Sequence, residues 1–277
     1  MEIRIRVYNK PLVKAPYPSG FIGDGLTRLA VLELPTATLR RMLPSTLDLG
    51  EQRITAAGTH PVIVQCHSFL YCQFSFPTYL PPMKFHEQTF GIPFTRIRGG
   101  DSSAYLYMPK LYLDDPWVMI VGRNLWGFDK ELANVAVADD NYTVTNFAGR
   151  RLLSLTWHVE KEMRPAVGGY PEFDEVRSML SQPLLSLWPA ALGPLLTVTD
   201  FDRRWHIATV RPMHAALQLD GAYARGLDTV SFGDGSGESS LAGAYELSAQ
   251  WWLSYPFPAP ASFTEPGVHG RMRAQVV

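Results

Sequence analysis

Lysine is the residue type in this sequence that most clearly suggests chemistry. Only six of the 25 basic residues are lysines, and one of them, Lys130, follows an apolar run and lies close to Trp126 and Phe128. Apolar surroundings disfavour the ammonium form, and a neutral amine attacks carbonyl groups. The product with a ketone is an iminium, which draws electrons from a neighbouring bond so that this bond can break. The sequence therefore predicts a Schiff-base lysine at Lys130, with Trp126 and Phe128 beside the substrate.

Other common catalytic motifs are missing from the chain. There is no GxSxG elbow, no Walker loop and no HExxH pair, and the seven histidines do not come at the close helical spacing of metal ligands. Cys66 and Cys72 match no zinc pattern and are predicted to be free, buried thiols. We therefore expect a site that uses neither a metal nor an organic cofactor.

The composition points to small molecules as partners. The formal charge is -1 and both signs are mixed along the chain, so no field favours nucleic acid or an anionic membrane. Hydrophobic residues make up 46% of the sequence, which is enough for a sizeable core. No stretch approaches the ~20 apolar residues of a spanning helix, and no apolar run typical of a signal peptide is seen. A cytoplasmic location is the expectation.

Strands follow one another along most of the chain with few helices between them. Segments rich in β-branched and aromatic residues are 61–76, 85–94, 104–112, 117–121, 142–147, 152–159 and 205–219. Successive strands of this kind favour antiparallel pairing. The pattern predicts an all-β or α+β domain closed into a barrel or sandwich.

Helices are predicted at three places only. Thr36 can cap a short helix over 37–42, apolar residues at helical spacing follow Pro171 from Phe173 to Leu180, and a further helix is expected over 129–135. We expect residues 1–277 to form a single domain, with an extended arm at 1–25, a flexible surface loop at 233–238 and a flexible tail at 258–277.

The segment that precedes the lysine resembles the active site of a known family. Asp115-Pro116 is followed by the apolar run that ends in Gly122-Arg123, and Phe128 lies two residues before Lys130. This arrangement is similar to the active-site segment of the acetoacetate decarboxylase family. The resemblance places that family's Schiff-base lysine at Lys130.

A second segment strengthens the resemblance. The strand from Phe85 to Phe94 is similar to the family strand whose glutamate points into the pocket, which implies that Glu87 orients the substrate. The family fold is a cone-like barrel of mostly antiparallel strands with few helices, consistent with the α+β pattern above. The family also implies a homo-oligomer.

The sequence departs from the family at three positions. Asp129 and Glu131 replace the proline and the second lysine of the family. On a strand both carboxylates would point to the face opposite Lys130, and in a helical turn they would diverge from it. The family's substrate-binding arginine aligns near Gly25, and Arg28 is close to that position but out of register.

Further polar residues are candidates for substrate contact. Arg123 follows the apolar run and suits either a structural ion pair or a ligand contact. The late strand Ala242 to Trp252 alternates polar residues, and relatives that resemble aldolase-dehydratases use a tyrosine or glutamate there for proton transfer, which implies Tyr245 or Glu246.

These observations predict a lyase that decarboxylates a β-keto acid through an iminium on Lys130. One alternative is an aldolase-dehydratase that acts on a pyruvate-type keto acid and an aldehyde. Another is a non-catalytic binding barrel in which Asp129 and Glu131 keep Lys130 charged. A cyclase or hydrolase that acts without the lysine is a third.

Overall fold

The computed structural model describes residues 20–74, 82–100, 102–190, 193–233 and 241–259. Within these residues the chain forms three helices, α1 Thr36–Met42, α2 Pro116–Trp126 and α3 Phe173–Leu180. The strands are β1 Gly20–Pro35, β2 Leu47–Leu49, β3 Thr59–Phe74, β4 Met83–Ile97, β5 Tyr105–Leu113, β6 Lys130–Leu132, β7 Asn134–Val137, β8 Asn141–Thr145, β9 Arg151–His158, β10 Arg164–Pro165, β11 Leu184–Ala190, β12 Gly193–Thr199, β13 Phe201–Asp202, β14 Thr209–Pro212, β15 His214–Leu219, β16 Val230–Phe232, β17 Gly243–Ser254 and β18 Phe257–Pro258.

Most described strands belong to one large sheet of order β10-β14-β17-β1-β3-β4-β5-β11-β12-β18, to which β2, β6 and β13 add as side branches. The long strands β1, β3, β4 and β17 pair antiparallel, whereas β6 and β11 run parallel to β5. The predicted α+β class with mostly antiparallel strands and few helices is confirmed. The predicted closed barrel is not found, because no ladder among the described residues joins β10 to β18.

The two faces of the large sheet are covered differently. A smaller sheet of order β16-β15-β9-β8-β7 packs on one face, where apolar residues such as Ala30 and Leu32 of β1 meet Leu155 and Leu217. The other face is covered by the helices: α2 packs over Phe21 and its neighbours, and α3 over residues such as Leu29. Alternate residues of a strand point to opposite faces, so β1 is apolar on both sides and lies in the centre of the protein.

Most predicted strands agree with the structure. The segments predicted at 61–76, 85–94, 104–112, 142–147 and 152–159 match β3, β4, β5, β8 and β9, apart from a few residues at their ends. Of the first segment, residues 75 and 76 lie outside the described residues. The segment 205–219 is divided into β14 and β15. Helices α1 and α3 lie where they were predicted, although α1 has no side-chain cap. Cys66 and Cys72 are free and buried.

The predicted ends and loop fall largely outside the described residues. Of the arm at 1–25, residues 20–25 belong to β1, and of the tail at 258–277 only Pro258 and Ala259 are described. In the loop 233–238 only Gly233 is described. No helix in the described ranges is long and apolar enough to cross a membrane.

The strand predicted at 117–121 is wrong, because these residues lie in α2. The Asp115 side chain accepts a hydrogen bond of 2.8 Å from the backbone N–H of Val118, and Pro116 occupies the first turn, where an N–H is not needed. Gly127 ends the helix in the left-handed region with φ 71°. Both helix ends are thus specified locally, and they outweigh the strand preference of the apolar run.

The helix predicted at 129–135 is also wrong. This stretch contains β6 and the start of β7, which pair with β5 and β8 respectively. Strand β6 forms its backbone hydrogen bonds with β5, which is distant in sequence. Strand β7 forms its hydrogen bonds with β8, which follows it after a turn. Tertiary pairing therefore decides the conformation here, and the local pattern does not reveal it.

Substitution of the α2 cap tests how this helix is held. Asp115→Ala removes the acceptor for the Val118 N–H, and we expect the free energy of unfolding to fall by about 1 kcal/mol. Urea denaturation followed by tryptophan fluorescence measures this change. The matched control is Asp139→Ala in an exposed turn, for which no change is expected. Equal stability of the two variants would show that the cap does not hold the helix.

Candidate active site

Lys130 and Glu87 meet on one face of the large sheet. Lys130 pairs with Leu111 of β5, and Glu87 of β4 pairs with Leu113 of the same strand. Directly paired residues point to the same face, so both side chains project towards the helices. The Lys130 Nζ donates a hydrogen bond to Glu87 Oε2, and the two residues are only 7% and 8% exposed. The fold thus creates a buried amine and carboxylate pair.

Helix α2 lies directly against the lysine side chain. A Cβ atom placed on Gly122 would lie 2.5 Å from Lys130 Cε, 2.6 Å from Cδ and 3.1 Å from Nζ. Gly122 is also the buried residue midway between Val118 and Trp126 on the inner face of the helix. The absence of a side chain at this position therefore provides the space through which Lys130 reaches Glu87.

The two carboxylates that flank the lysine lie away from it. Lys110 Nζ contacts Asp129 Oδ1 at 3.1 Å and Glu131 Oε2 at 2.9 Å. Burial disfavours the ammonium of Lys110, but the hydrogen bond that Lys110 donates to Glu131 and the charge of Asp129 outweigh burial and raise the pKa of Lys110. Because Lys110 precedes Leu111, it projects to the face opposite Lys130. Asp129 and Glu131 are thus both paired with another lysine.

An apolar pocket opens in front of Lys130. It contains about 340 Å³ of space, partly open to solvent, and is lined by Phe21, Phe74, Met83, Trp117, Val118, Val121, Gly122, Trp126, Phe128, Lys130 and Leu253. Lys130 alone is charged among these described lining residues. Its Nζ lies 5.9 Å from the centroid of the Phe128 ring, and Trp117 is 52% exposed. The amine therefore faces apolar walls.

The indole of Trp126 is held in place from several sides. Its N–H donates a 2.7 Å hydrogen bond to the carbonyl of Ser254, and its ring stacks on Tyr255 with a centroid distance of 5.7 Å. The Phe21 and Phe74 rings lie 6.2 and 6.3 Å from it. A buried tryptophan with a satisfied N–H forms a rigid wall. Trp126 and Phe128 thus both border the pocket.

A polar row continues from Glu87 across the sheet. His67 of β3 pairs with Glu87 and with Thr27 of β1, and its Nδ1 lies 2.8 Å from Thr27 Oγ1. Burial first, and then the positive charges of Arg203 and Lys130, lower the pKa of His67 to about 3. The imidazole is therefore neutral near pH 7. The sequence did not single out His67, because its position opposite Glu87 depends on the register between β3 and β4.

The buried guanidinium of Arg203 lies beyond this row, and the sequence did not single it out either. Arg203 donates hydrogen bonds to the carbonyl of Leu180 at the end of α3 and, at 3.2 Å, to Gln65 Oε1. Gln65 in turn donates to Thr89 Oγ1 at 3.0 Å. Burial lowers the pKa of Arg203 to about 9. Its contacts satisfy the end of α3, and it is not among the residues that line the pocket.

Arg28 and Glu246 lie on the opposite face of the sheet. Arg28 Nε contacts Glu246 Oε2 at 3.1 Å, and Arg211 Nε donates to Glu246 Oε1 at 2.9 Å. The Arg28 guanidinium also lies 4.6 Å from the ring centroid of Trp157 in the smaller sheet. The neighbour Thr27, not Arg28, faces Glu87. The structure therefore does not bring Arg28 or Glu246 to the pocket.

Arg123 and Tyr245 are also placed away from Lys130. Arg123 is exposed in the last turn of α2. Tyr245 faces the helices, but it packs under α3, with its ring 5.1 Å from that of Phe173 and its hydroxyl donating to the Glu172 carbonyl at 3.3 Å. Of the predicted site residues, the structure brings together Lys130, Glu87, Trp126 and Phe128.

No metal-binding cluster is found in the described part of the chain. No group of three or more His, Cys, Asp or Glu side chains there is arranged to hold an ion. The pocket-lining residues also provide no anionic or imidazole ligands. The chemistry that this arrangement can perform therefore centres on the amine of Lys130 and the carboxylate of Glu87.

Comparison with known structures supports the fold. The acetoacetate decarboxylase of Legionella pneumophila has 15% identity and a TM-score of 0.61, with 91% of this chain and 93% of that chain covered. The enduracididine biosynthesis enzyme MppR in complex with pyruvate has 13% identity and a TM-score of 0.56, covering 87% and 91%. An acetoacetate decarboxylase-like enzyme of Sphingomonas wittichii RW1 has 12% identity and a TM-score of 0.54, covering 87% and 93%.

The sequence itself gives a direct assignment. No curated protein matches the chain. The family described as acetoacetate decarboxylase (ADC), however, matches residues 10–179, a stretch that includes β4, α2 and β6 and therefore Glu87, Gly122 and Lys130. This match covers more than half of the 277 residues, and the chain belongs to the acetoacetate decarboxylase family.

Proposed function

We propose that this protein is a carbon–carbon lyase that binds a keto acid to Lys130 as a Schiff base and removes the carboxyl group of a β-keto acid as carbon dioxide. The observation that carries this proposal is the buried contact between Lys130 and Glu87 at an apolar pocket. An amine in apolar surroundings is a nucleophile once its proton is removed, and Glu87 lies within hydrogen-bonding distance of that proton.

The reaction can be written with the groups present. Glu87 takes a proton from Lys130, and the amine adds to the ketone. Glu87 then returns this proton to the hydroxyl group of the adduct, which leaves as water and gives an iminium. The electron pair of the bond to the carboxylate then moves to the iminium nitrogen, which releases carbon dioxide and leaves an enamine. A proton taken up from solvent through Glu87 adds to the enamine carbon, and water hydrolyses the new iminium to free the ketone and Lys130. Each turnover therefore consumes one proton from solvent.

The positions of Tyr245 and Glu246 on β17 favour decarboxylation over an aldol reaction with dehydration. The second reaction also requires a proton donor for the aldehyde oxygen and for the departing hydroxyl group. The residues expected to supply it, Tyr245 and Glu246, lie under α3 and on the opposite face. MppR, solved with pyruvate, has a similar fold at 13% identity, so the aldolase-dehydratase remains the alternative that an assay for carbon dioxide tests.

The non-catalytic alternative rested on the carboxylates beside the lysine. Both Asp129 and Glu131 contact Lys110. The charge next to Lys130 is instead that of Glu87, which is also a suitable proton acceptor. The contacts of Asp129 and Glu131 with Lys110 thus remove the basis of the non-catalytic alternative, and Glu87 can accept the proton that frees the amine.

Trapping the iminium tests the function directly. The protein is incubated with acetoacetate, pyruvate or a bulkier keto acid and reduced with borohydride, and we expect a mass increase on Lys130. Lys130→Met, which retains the apolar stem, should give no adduct and no carbon dioxide, with its folding checked by circular dichroism. Lys110→Met is the matched control and should still form the adduct. An unmodified Lys130 with every carbonyl tested, from mildly acidic to alkaline pH, would contradict the proposal.

Replacement of the buried carboxylate tests the role of Glu87. Glu87→Gln keeps the size of the side chain but cannot accept a proton, so we expect kcat to fall about 100-fold or more. Steady-state release of carbon dioxide measures this loss. Glu131→Gln, which changes a carboxylate on the opposite face, should leave kcat unchanged. Equal activity of the two variants would remove Glu87 from the mechanism.

The glycine of α2 provides a geometric test. Gly122→Ala places a Cβ atom 2.5 Å from Lys130 Cε, which must displace the amine. A shift of the reacting atom by about 1 Å can cost about 100-fold in rate, and we expect a loss of that order in kcat/KM. Arg123→Ala, on the exposed side of the same helix, is the control and should retain full activity. Retention of full activity by Gly122→Ala would show that the position of the lysine is not critical.

A further inference from the structure

The composition of the pocket wall narrows the substrate class. The lining residues come from β1, β3, β4, α2, the loop after α2, β6 and β17. Apart from Lys130 and Gly122, their side chains are aromatic, aliphatic or thioether groups. Contact with such walls stabilises a ligand roughly in proportion to the apolar area that it buries. Acetoacetate has only a methyl group beside its ketone. Most of the apolar wall would therefore contribute nothing to the binding of acetoacetate.

Among the described residues, none that lines the pocket is a cation except Lys130. Arg28 is ion-paired with Glu246 on the other face, and Arg123 is exposed on the outer side of α2. Arg203 is bound to Leu180 and Gln65 and is not a lining residue. The described lining residues therefore favour a substrate that has an apolar part in contact with them.

The direction of the pocket indicates where this apolar part lies. Lys130 is 7% exposed, whereas Trp117, on the outer part of α2, is 52% exposed. The reacting ketone must lie at the amine, so a substituent on the ketone extends past Trp126 and Phe21 towards Trp117. The Phe21 and Trp126 rings lie 6.2 Å apart, and together with Trp117 they provide aromatic surface for such a group.

We infer that the substrate is a β-keto acid that carries an aryl group or an alkyl chain beside its ketone, and that this group occupies the pocket between α2 and the start of β1. The inference rests on the proposed function. The apolar walls then serve two purposes, because they bind the tail and leave the carboxylate poorly solvated next to the iminium. Poor solvation of a carboxylate favours its loss as neutral carbon dioxide.

Comparison of three keto acids tests this inference. Carbon dioxide release is measured with acetoacetate, benzoylacetate and hexanoylacetate, which share the reacting group but differ in the tail. We expect kcat/KM to be at least about tenfold higher for one of the apolar substrates than for acetoacetate, since a buried phenyl or alkyl group commonly contributes this much. An equal or higher value for acetoacetate would overturn the inference.

A pocket variant locates the tail. Val121→Phe adds volume to the lining, and we expect it to reduce the ratio of kcat/KM for benzoylacetate to that for acetoacetate by about tenfold. Ile120→Phe adds the same volume to an exposed position of the same helix and should leave the ratio unchanged. An unchanged ratio in Val121→Phe would place the tail elsewhere and contradict the inference.

The outcomes separate the two proposals. If acetoacetate forms the borohydride adduct on Lys130 and releases carbon dioxide but the apolar acids do not, the Schiff-base function stands and the substrate inference is wrong. If no keto acid forms an adduct or releases carbon dioxide, both fail.

Discussion

The buried ion pair between Lys130 and Glu87 is the interaction on which the arrangement of this protein depends. Removal of each charge from water costs several kcal/mol, and loss of one partner alone would leave an uncompensated buried charge at a cost of about 3–5 kcal/mol. The two residues lie on β6 and β4, with β5 between them. The register of three strands must therefore be fixed before the pair can form, and α2 must then exclude water from it. Reactivity and folding thus impose the same geometric requirement.

The sequence predicted those parts of the fold in which local pattern and tertiary structure agree. Long strands such as β3 and β4 are rich in β-branched and aromatic residues, and α3 has apolar residues at helical spacing. The prediction failed at α2, where Asp115 and Gly127 specify a helix that the apolar run alone does not indicate. It failed again at β6, whose hydrogen bonds come from β5. Short strands of this kind depend on pairing with strands that are distant in sequence, so a short segment of sequence does not reveal them.

The candidate site was predictable only in part, for related reasons. Lys130 and Glu87 could be proposed from a resemblance between two segments, and Trp126 and Phe128 from their closeness to the lysine in sequence. Which face a strand residue occupies depends on register, and a difference of one residue separates Thr27, which faces the site, from Arg28, which does not. Gly122 belongs to the segment that resembles the family, but the sequence did not indicate its role. Its role follows from the approach of Lys130 to α2 in three dimensions.

The ion pairs between Lys110 and the two carboxylates that flank Lys130 restrict how these positions can vary among relatives. Lys110 contacts both Asp129 and Glu131, so the three residues form one ion-paired cluster on the face of the sheet opposite Lys130. A relative with a lysine at position 131 would place two cations next to each other unless position 110 changed as well. Positions 110, 129 and 131 should therefore covary. If active-site segments are exchanged between family members, the residue at position 110 of β5 must therefore be exchanged together with the segment that contains Lys130.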